Sequence, residues 1–432
     1  MISIDKLPDE VLLEIFDLCV DKDRGLNFSK KEIEAWQPLV HVCRQWRRVV
    51  FVSPRRLNLR LVFTAFTPAR DTLDVWPTLP LVINVSVFET EREDDVALVP
   101  ERSDRVEIIR LFLLIDWGLS LEAALVAMQR PFPELTYLVF EICRGRMEVL
   151  SDSFLGGSVP HLQELYFIGI PFPGLPKLLL SASHLATLSL RDIPDSGYIL
   201  PEVMAASLST LINLRSLCLR FISFGFDWES FWETRCPPPP TRSILPVLTS
   251  FEFEGPGEYL NDIVAGIDAP RLNDLNMSFF MQVIDMLPQL IQFISGIPMF
   301  MALEKGHVDF KDYAASIEFS SQTFGHGELI VEVSCKESEW PGQVTPLEQV
   351  CALCLPPIST LEDLHIHGVP NSNDLGELFP EDDPWPDLLT LFPSVKNLYL
   401  YGEAAPSITP FLEDSFDEGR TALLPALRRI FK

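Results

Sequence analysis

Two cysteines three residues apart, Cys351 and Cys354, stand upstream of two histidines two residues apart, His365 and His367. These residue types bind zinc, and a C-x-x-C pair followed by histidines could close a tetrahedral site if all four side chains converged. The surrounding sequence opposes convergence. The cysteines lie in the apolar run Val350-Cys351-Ala352-Leu353-Cys354-Leu355, which reads as a helical arm. The histidines alternate with Leu364 and Ile366, which reads as a strand whose polar side faces away from the core. A C-x-x-C without a second matching pair is a weak metal signal, so no metal and no cofactor is expected. There is no G-x-S-x-G elbow, no glycine-rich phosphate loop and no H-E-x-x-H. A Ser-His-Asp site assembled in space stays open, but seven histidines scattered through 432 residues supply little for one. No catalytic residue is assigned.

The remaining chemistry is recognition, and a repeat must position it. From residue 57 onward the chain returns to a pattern of leucine, two variable residues, leucine, one variable residue, leucine. Clear copies are Leu135-Thr136-Tyr137-Leu138-Val139-Phe140, Leu185-Ala186-Thr187-Leu188-Ser189-Leu190 and Leu214-Arg215-Ser216-Leu217-Cys218-Leu219. Others begin at Leu162, Leu248, Leu272, Leu361 and Val395, and a last one at Leu427. The first positions 135, 162, 185, 214, 248 and 272 are separated by 27, 23, 29, 34 and 24 residues. Leucine-rich repeats run about 20–29 residues, so the longer steps read as loop insertions, the largest holding four prolines at 237–240. Weaker strand signals lie at 57–61, 81–85, 106–111, 317–319 and 329–333, and returning helical arms at 174–181 and 201–210. The expected fold is α/β: a parallel sheet on the concave side of an irregular solenoid, helices and loops on the convex side, over residues 57–432. One such repeat cannot bury its own apolar face, so the array must be contiguous and capped.

Period-two alternation points the leucines inward and the variable residues outward. The outward positions of the types that dominate binding energy are Tyr166, Arg191, Arg220, His365, His367, Tyr399 and Tyr401, and they are the expected target-binding residues. Tyr399 and Tyr401 beside His365 and His367 form the preferred patch.

The chain is 47% hydrophobic with a mean hydropathy of +0.18, enough to fill a large core. The longest apolar stretch, 108–128, is broken by Arg110, Asp116 and Glu122, so no membrane span is expected. Asp5, Asp9 and Glu10 occupy the place of a signal peptide's apolar core. Eight cysteines, most in apolar runs, suit a reducing compartment, and the chain reads as intracellular, cytoplasmic or nuclear. The formal charge is −27. Residues 1–60 carry 11 Lys and Arg against 9 Asp and Glu, so the rest carries 23 of the 34 bases and 52 of the 61 acids. An acidic body repels nucleic-acid phosphates and suits a basic protein target.

The N-terminus is of another kind. In Leu7-Pro8-Asp9-Glu10-Val11-Leu12-Leu13-Glu14-Ile15-Phe16, two apolar seams run along one short helix: Leu7, Val11, Ile15, Leu18 and Leu12, Phe16, Cys19. Two seams exceed what one packing face needs. Pro8 suits the first turn, and Asp9 and Glu10 complement the helix N-terminus. A capping-box signal follows at 29–32. A third apolar stripe lies in Val42, Cys43, Trp46, Val49 and Val50, within Leu39-Val40-His41-Val42-Cys43-Arg44-Gln45-Trp46-Arg47-Arg48-Val49-Val50.

Together these two segments resemble the F-box, and the whole layout is similar to F-box/leucine-rich-repeat families of mushroom-forming fungi. The resemblance implies a three-helix F-box domain at 1–56. It also implies that Leu7, Pro8, Val11, Ile15, Leu18, Val42, Cys43 and Trp46 face the Skp adaptor, and through it a cullin-RING ubiquitin ligase. The implied role is a non-catalytic substrate-recognition subunit of an SCF-type ligase. A Skp-binding scaffold without ubiquitination, and a hydrolase on an α/β body, remain the alternatives. Two features depart from the family pattern. The link at 20–35 is long and polar, and Pro38 interrupts the second helix, so a helix ends before it or restarts at it.

Overall fold

The computed structural model describes residues 7–20, 33–64, 72–73, 75–76, 78–86, 99–114, 125–126, 128–144, 149–222, 242–280, 287–311, 314–320, 327–334, 344–354, 360–368, 385–402, 404–417 and 423–432. The capping-box signal at 29–32 and the prolines at 237–240 lie outside them. The chain is α/β and forms two compact units, Met1–Ala182 and Ser183–Lys432. Among the described residues, no helix is long and apolar enough to cross a membrane.

Among the described residues the first unit opens with three helices, α1 (Asp9–Cys19), α2 (Gln37–Val40) and α3 (Arg44–Val52). Pro38 sits in the first turn of α2, so the helix restarts there, where a proline lacks no bond the helix needs. Val42 and Cys43 fall in the turn before α3, with Cys43 as its extended N-cap, so the third stripe is helical only from Trp46 onward. Five strands follow: β1 (Leu61–Phe63), β2 (Leu81–Ser86), β3 (Val106–Leu114), β4 (Tyr137–Arg144) and β5 (Glu164–Ile168), all parallel and in chain order. The strand expected at 57–61 begins only at Leu61, because 54–58 form a turn. A short helix, α4 (Leu175–Leu179), is the returning arm.

The helical segment closes the edge of this sheet. Glu34 Oε1 accepts the Val62 amide at 2.8 Å, and the Trp36 indole donates to the Arg60 carbonyl at 3.0 Å. An uncovered edge strand would present unpaired amides as a template for aggregation. Trp36 is fully buried, edge-on to Phe51 and Trp76 at centroid distances of 6.0 and 5.2 Å.

In the second unit the order is β6 (Thr187–Ile193), α5 (Pro201–Leu208), β7 (Ser216–Phe221), β8 (Ser243–Ile244), β9 (Ser250–Gly255), α6 (Gly257–Val264), β10 (Ile267–Asp268), β11 (Asp274–Phe280) and α7 (Pro288–Ser295). Then come β12 (Lys305–Lys311), β13 (Ala314–Ser320), β14 (Glu328–Ser334), α8 (Val344–Cys354), β15 (Asp363–His367), α9 (Trp385–Thr390), β16 (Asn397–Tyr401), α10 (Ala404–Asp417) and β17 (Arg429–Phe431). The pair β8 and β10 forms a small sheet of its own. The other strands form one sheet in the order β6-β7-β9-β11-β14-β13-β12-β15-β16-β17.

One recurring bond sets the register. The residue after the first leucine of each repeat donates its amide to the carbonyl of its counterpart one coil earlier. Gln163 to Thr136, Arg215 to Ala186, Thr249 to Arg215, Asn273 to Thr249, Lys396 to Glu362 and Arg428 to Lys396 all close at 2.7 to 2.9 Å. The leucine before it is buried in every repeat up to Val395, and the two inward residues of each strand are buried with it. Fully burying each such side chain contributes about 1.5–3 kcal/mol.

The expectation of a uniformly parallel sheet fails at one place. β12, β13 and β14 form an antiparallel meander laid into the sheet in reversed order, so that β14 lies parallel to β11 and β12 parallel to β15. Gly306 allows the join: a Cβ there would stand 2.8 Å from a Leu361 methyl.

Candidate partner-binding surfaces

On α1 the two seams divide. Leu12 and Phe16 are fully buried, and Phe16 packs edge-on against Trp46 at 4.8 Å. The other seam is left to solvent: Val11 is 42% and Leu18 88% exposed, Pro8 is exposed, and Leu7 and Ile15 are half-buried. Val42 adds a 57% exposed side chain, while Cys43 and Trp46 are half-buried. Arg48 donates to Asp9 at 2.9 Å, and Gln45 reaches the Leu7 carbonyl and Asp9 at 3.4 Å, tying α3 to the start of α1. Arg56 pairs with Glu14 and Asp17, whose carboxylates hold its pKa up. Of the eight residues assigned to the adaptor, Val11, Ile15, Leu18 and Trp46 lie on α1 and α3 and the other four in the segments leading into them, and Pro8, Val11, Leu18 and Val42 are the apolar members left exposed.

The outward face of the first unit's strands is closed at its centre, from β1 to β4, and half-exposed at β5. Val62, Val82, Ile108, Tyr137 and Val139 form one buried apolar cluster, with Tyr166 partly buried against it. Tyr137 and Val139 thus do not offer the exposed positions that alternation predicted for them. Arg110 shares this face, nine-tenths buried, its guanidinium 5.2 Å from the Tyr137 ring centroid and its Nε without a partner. Tyr166 stands beside Tyr137, at 5.7 Å between centroids, and donates to Glu164 at 2.8 Å.

The second unit's outward face is polar and ordered in rows. Because strands pair in register about 4.8 Å apart, equivalent outward residues become neighbours. Arg191 and Arg220 stand at one end. Arg220 binds Glu254 at 2.6 Å and lies 3.7 Å from Glu252, which Arg191 approaches to 3.5 Å. Ser189 and Cys218 lie beneath, both buried. Burial, with Glu252 second, pushes the Cys218 thiol up to about 11, so it is no nucleophile at neutral pH.

At the other end the rings stack. His365 lies over Tyr399 at 4.2 Å and His367 over Tyr401 at 4.0 Å, their planes within 3° and 14° of parallel. Phe431 extends the first row beyond Tyr399 at 4.4 Å. Across the β12–β15 join, His307 lies 4.4 Å from His367 and 5.6 Å from His365. The Tyr401 hydroxyl and His365 Nδ1 are 3.2 Å apart. Burial, then the neighbouring His307, holds both His365 and His367 below the ordinary imidazole value.

The preferred patch of four residues is therefore assembled, and it is larger than the four. His307 was missed because β12 carries no leucine triplet; the alternation of Gly306, Val308 and Phe310 was the available signal. Between the arginines and the rings lie Glu318 on β13 and Glu328 and Glu332 on β14. None of the three has an ion-pair partner among the described residues. Burial, then a hydrogen bond and repulsion from Glu318, raises the pKa of Glu328.

Cys351 is buried in α8, away from any shared centre with the histidines; the Cys354 side chain lies outside the described residues. No group of three or more potential metal ligands is assembled among the described residues. Ser183 Oγ and His184 Nδ1 stand 3.3 Å apart, but on adjacent exposed residues of a turn. Neither a family model nor any curated protein matches this chain.

Proposed function

We propose that this chain is the target-recognition subunit of an SCF-type ubiquitin ligase. Its N-terminal helices act as an F-box on the Skp adaptor, and its leucine-rich-repeat solenoid holds the protein to be modified. The carrying observation is the split of α1 into a packed seam and an exposed one, in a segment whose sequence resembles the F-box. Leu18, 88% exposed, is an apolar side chain that nothing in the chain's own fold requires outside, which suits an interface anchor. The chain supplies no catalytic group in this reading. Holding a target beside a charged conjugating enzyme raises its effective concentration, and that proximity is the chain's contribution to rate.

The test is capture of purified Skp adaptor by the intact chain. Leu18→Asp with Val42→Asp places charges on exposed positions, so the melting temperature should stay put. Binding should weaken by about a hundredfold or more, as for the loss of two interface anchors. Adaptor binding that survives both substitutions, or none by the wild-type chain, overturns the reading. Reconstituted target ubiquitination then separates a receptor from a scaffold.

A further inference from the structure

We propose that the outward face of the second unit's sheet, from β14 through β13 and β12 to the ring stack on β15 and β16, docks an extended, lysine- or arginine-bearing segment of a partner protein. This deepens the reading of the sheet as the target-holding surface and rests on it.

Charge complementarity decides the occupant. Along the face, Arg191 and Arg220 already neutralise Glu252 and Glu254. Beyond them the acids outnumber the bases. Among the described residues Glu318, Glu328 and Glu332 have no ion-pair partner, Glu332 accepting only from the Ser278 hydroxyl, and the bases on the adjoining β12 are Lys305 and Lys311, Lys311 lying 3.9 Å from Asp309. Glu318 and Glu328 crowd each other closely enough to hydrogen-bond, an arrangement that disfavours two negative charges and that a bound cation would relieve. The same acids would repel the phosphates of a nucleic acid.

The stack adds the second half of the site. Its inner rings lie face to face, so what they offer a partner is edges, ring nitrogens and phenolic hydroxyls. Those atoms donate and accept hydrogen bonds, as an extended backbone requires. Glu318 registers directly opposite His307, so the acidic block and the stack form one continuous strip. A strand-like segment projects alternate side chains about 7 Å apart on one side. One base can reach Glu318 and the next Glu332 or Glu328, while the flanking backbone meets the rings.

The experiment uses the full chain and two labelled peptides of about 12 residues, alternating Lys-Ser and alternating Glu-Ser, read by fluorescence anisotropy near neutral pH at low and near-physiological salt. The Lys-Ser peptide is expected to bind and the Glu-Ser peptide to fail. Glu318→Gln with Glu332→Gln should weaken binding at least about tenfold, and Tyr399→Leu with Tyr401→Leu about fivefold. Glu134→Gln, an exposed acid of the first unit, should leave it within about twofold. Circular dichroism confirms that each variant is folded. The proposal is overturned if the Lys-Ser peptide does not bind, if the two Gln substitutions change nothing, or if Glu134→Gln weakens binding as much as they do. Adaptor capture on the same preparations keeps the two readings apart. Adaptor binding without peptide binding sinks this inference alone, and peptide binding without adaptor binding sinks the F-box reading alone.

Discussion

The strands of the two units obey the same rule on their inner faces and opposite rules on their outer ones. In the first unit the outward positions Val62, Val82, Ile108, Tyr137 and Val139 are buried together. In the second the equivalent positions carry arginines, then acids, then histidines and tyrosines, mostly half-exposed or exposed. The inward leucines decide that a coil forms; the outward residues decide whether its face is core or surface. A face already filled with its own side chains has little left for a partner. The free face is therefore in the second unit, and the apolar seam of α1 is the corresponding free surface of the first.

The sharpest test exchanges equivalent tyrosines. Tyr137→Ala should cost about 3 kcal/mol, because it empties a packed apolar cluster and uncovers Arg110. Tyr399→Ala removes a half-exposed ring from a stack and should cost about 1 kcal/mol. Urea denaturation reads both, and equal costs would erase the distinction between closed and open faces.

Arg110 refines the same contrast. A nearly buried guanidinium with an unpartnered Nε and a ring beneath it is retained at a desolvation cost. Arg110→Met keeps the stem and removes the charge, so stability should stay level or rise by about 1 kcal/mol. A loss above about 1 kcal/mol would mean that the charge is compensated on this face after all.

On the open face the corresponding probe is pH. His365 and His367 are held below the ordinary value of 6.5 by burial and then by His307, with Lys305 adding to the effect on His365 and Asp363 and Asp309 opposing it. Tyr399, Tyr401, Lys311 and Glu318 are the remaining groups facing the stack. An unfolded chain therefore takes up these protons first as the pH falls. The stability they contribute is complete above about pH 6.5 and declines as the pH drops toward their folded values. The melting temperature should fall between about pH 7.5 and pH 6, and His365→Asn with His367→Asn should flatten that slope. An unchanged slope would mean that the stack does not titrate as a unit.

The inner architecture was legible because it is carried by residue type at fixed spacing. Leu188, Leu190, Leu217 and Leu219 name their own strands, and once repeats pair in register the variable positions pair too. That is why Tyr399 and Tyr401 could be placed beside His365 and His367. Strand direction is not written in period two, so the reversed meander of β12 to β14 was hidden, and with it His307. The closed face of the first unit did leave a trace. Tyr137-Leu138-Val139-Phe140 is apolar at every position, the mark of a strand covered on both sides, whereas Asp363-Leu364-His365-Ile366-His367 alternates. The exposed seam of α1 was visible as an excess of apolar positions, but which seam packs inward depends on Trp46, thirty residues on from Phe16.

The smallest effect separates folding from binding on the open face. Glu328 has a raised pKa because burial and the Glu318 carboxyl both disfavour its charge. For an acid shifted upward, the favourable state is the protonated one. Its stabilising share is complete below the ordinary value of 4.5 and is lost as the pH rises through the folded value. At neutral pH the pair is therefore a net burden on the fold. Glu318→Gln should raise stability by a few tenths of a kcal/mol, about 0.3, near pH 7.5, and the gain should vanish at about pH 4. The same substitution should weaken the Lys-Ser peptide. A residue whose removal stabilises the chain while harming binding is kept for what it binds, not for what it supports. Should Glu318→Gln instead destabilise the fold at neutral pH, the acids would be structural and the strip would lose its claim to a basic partner.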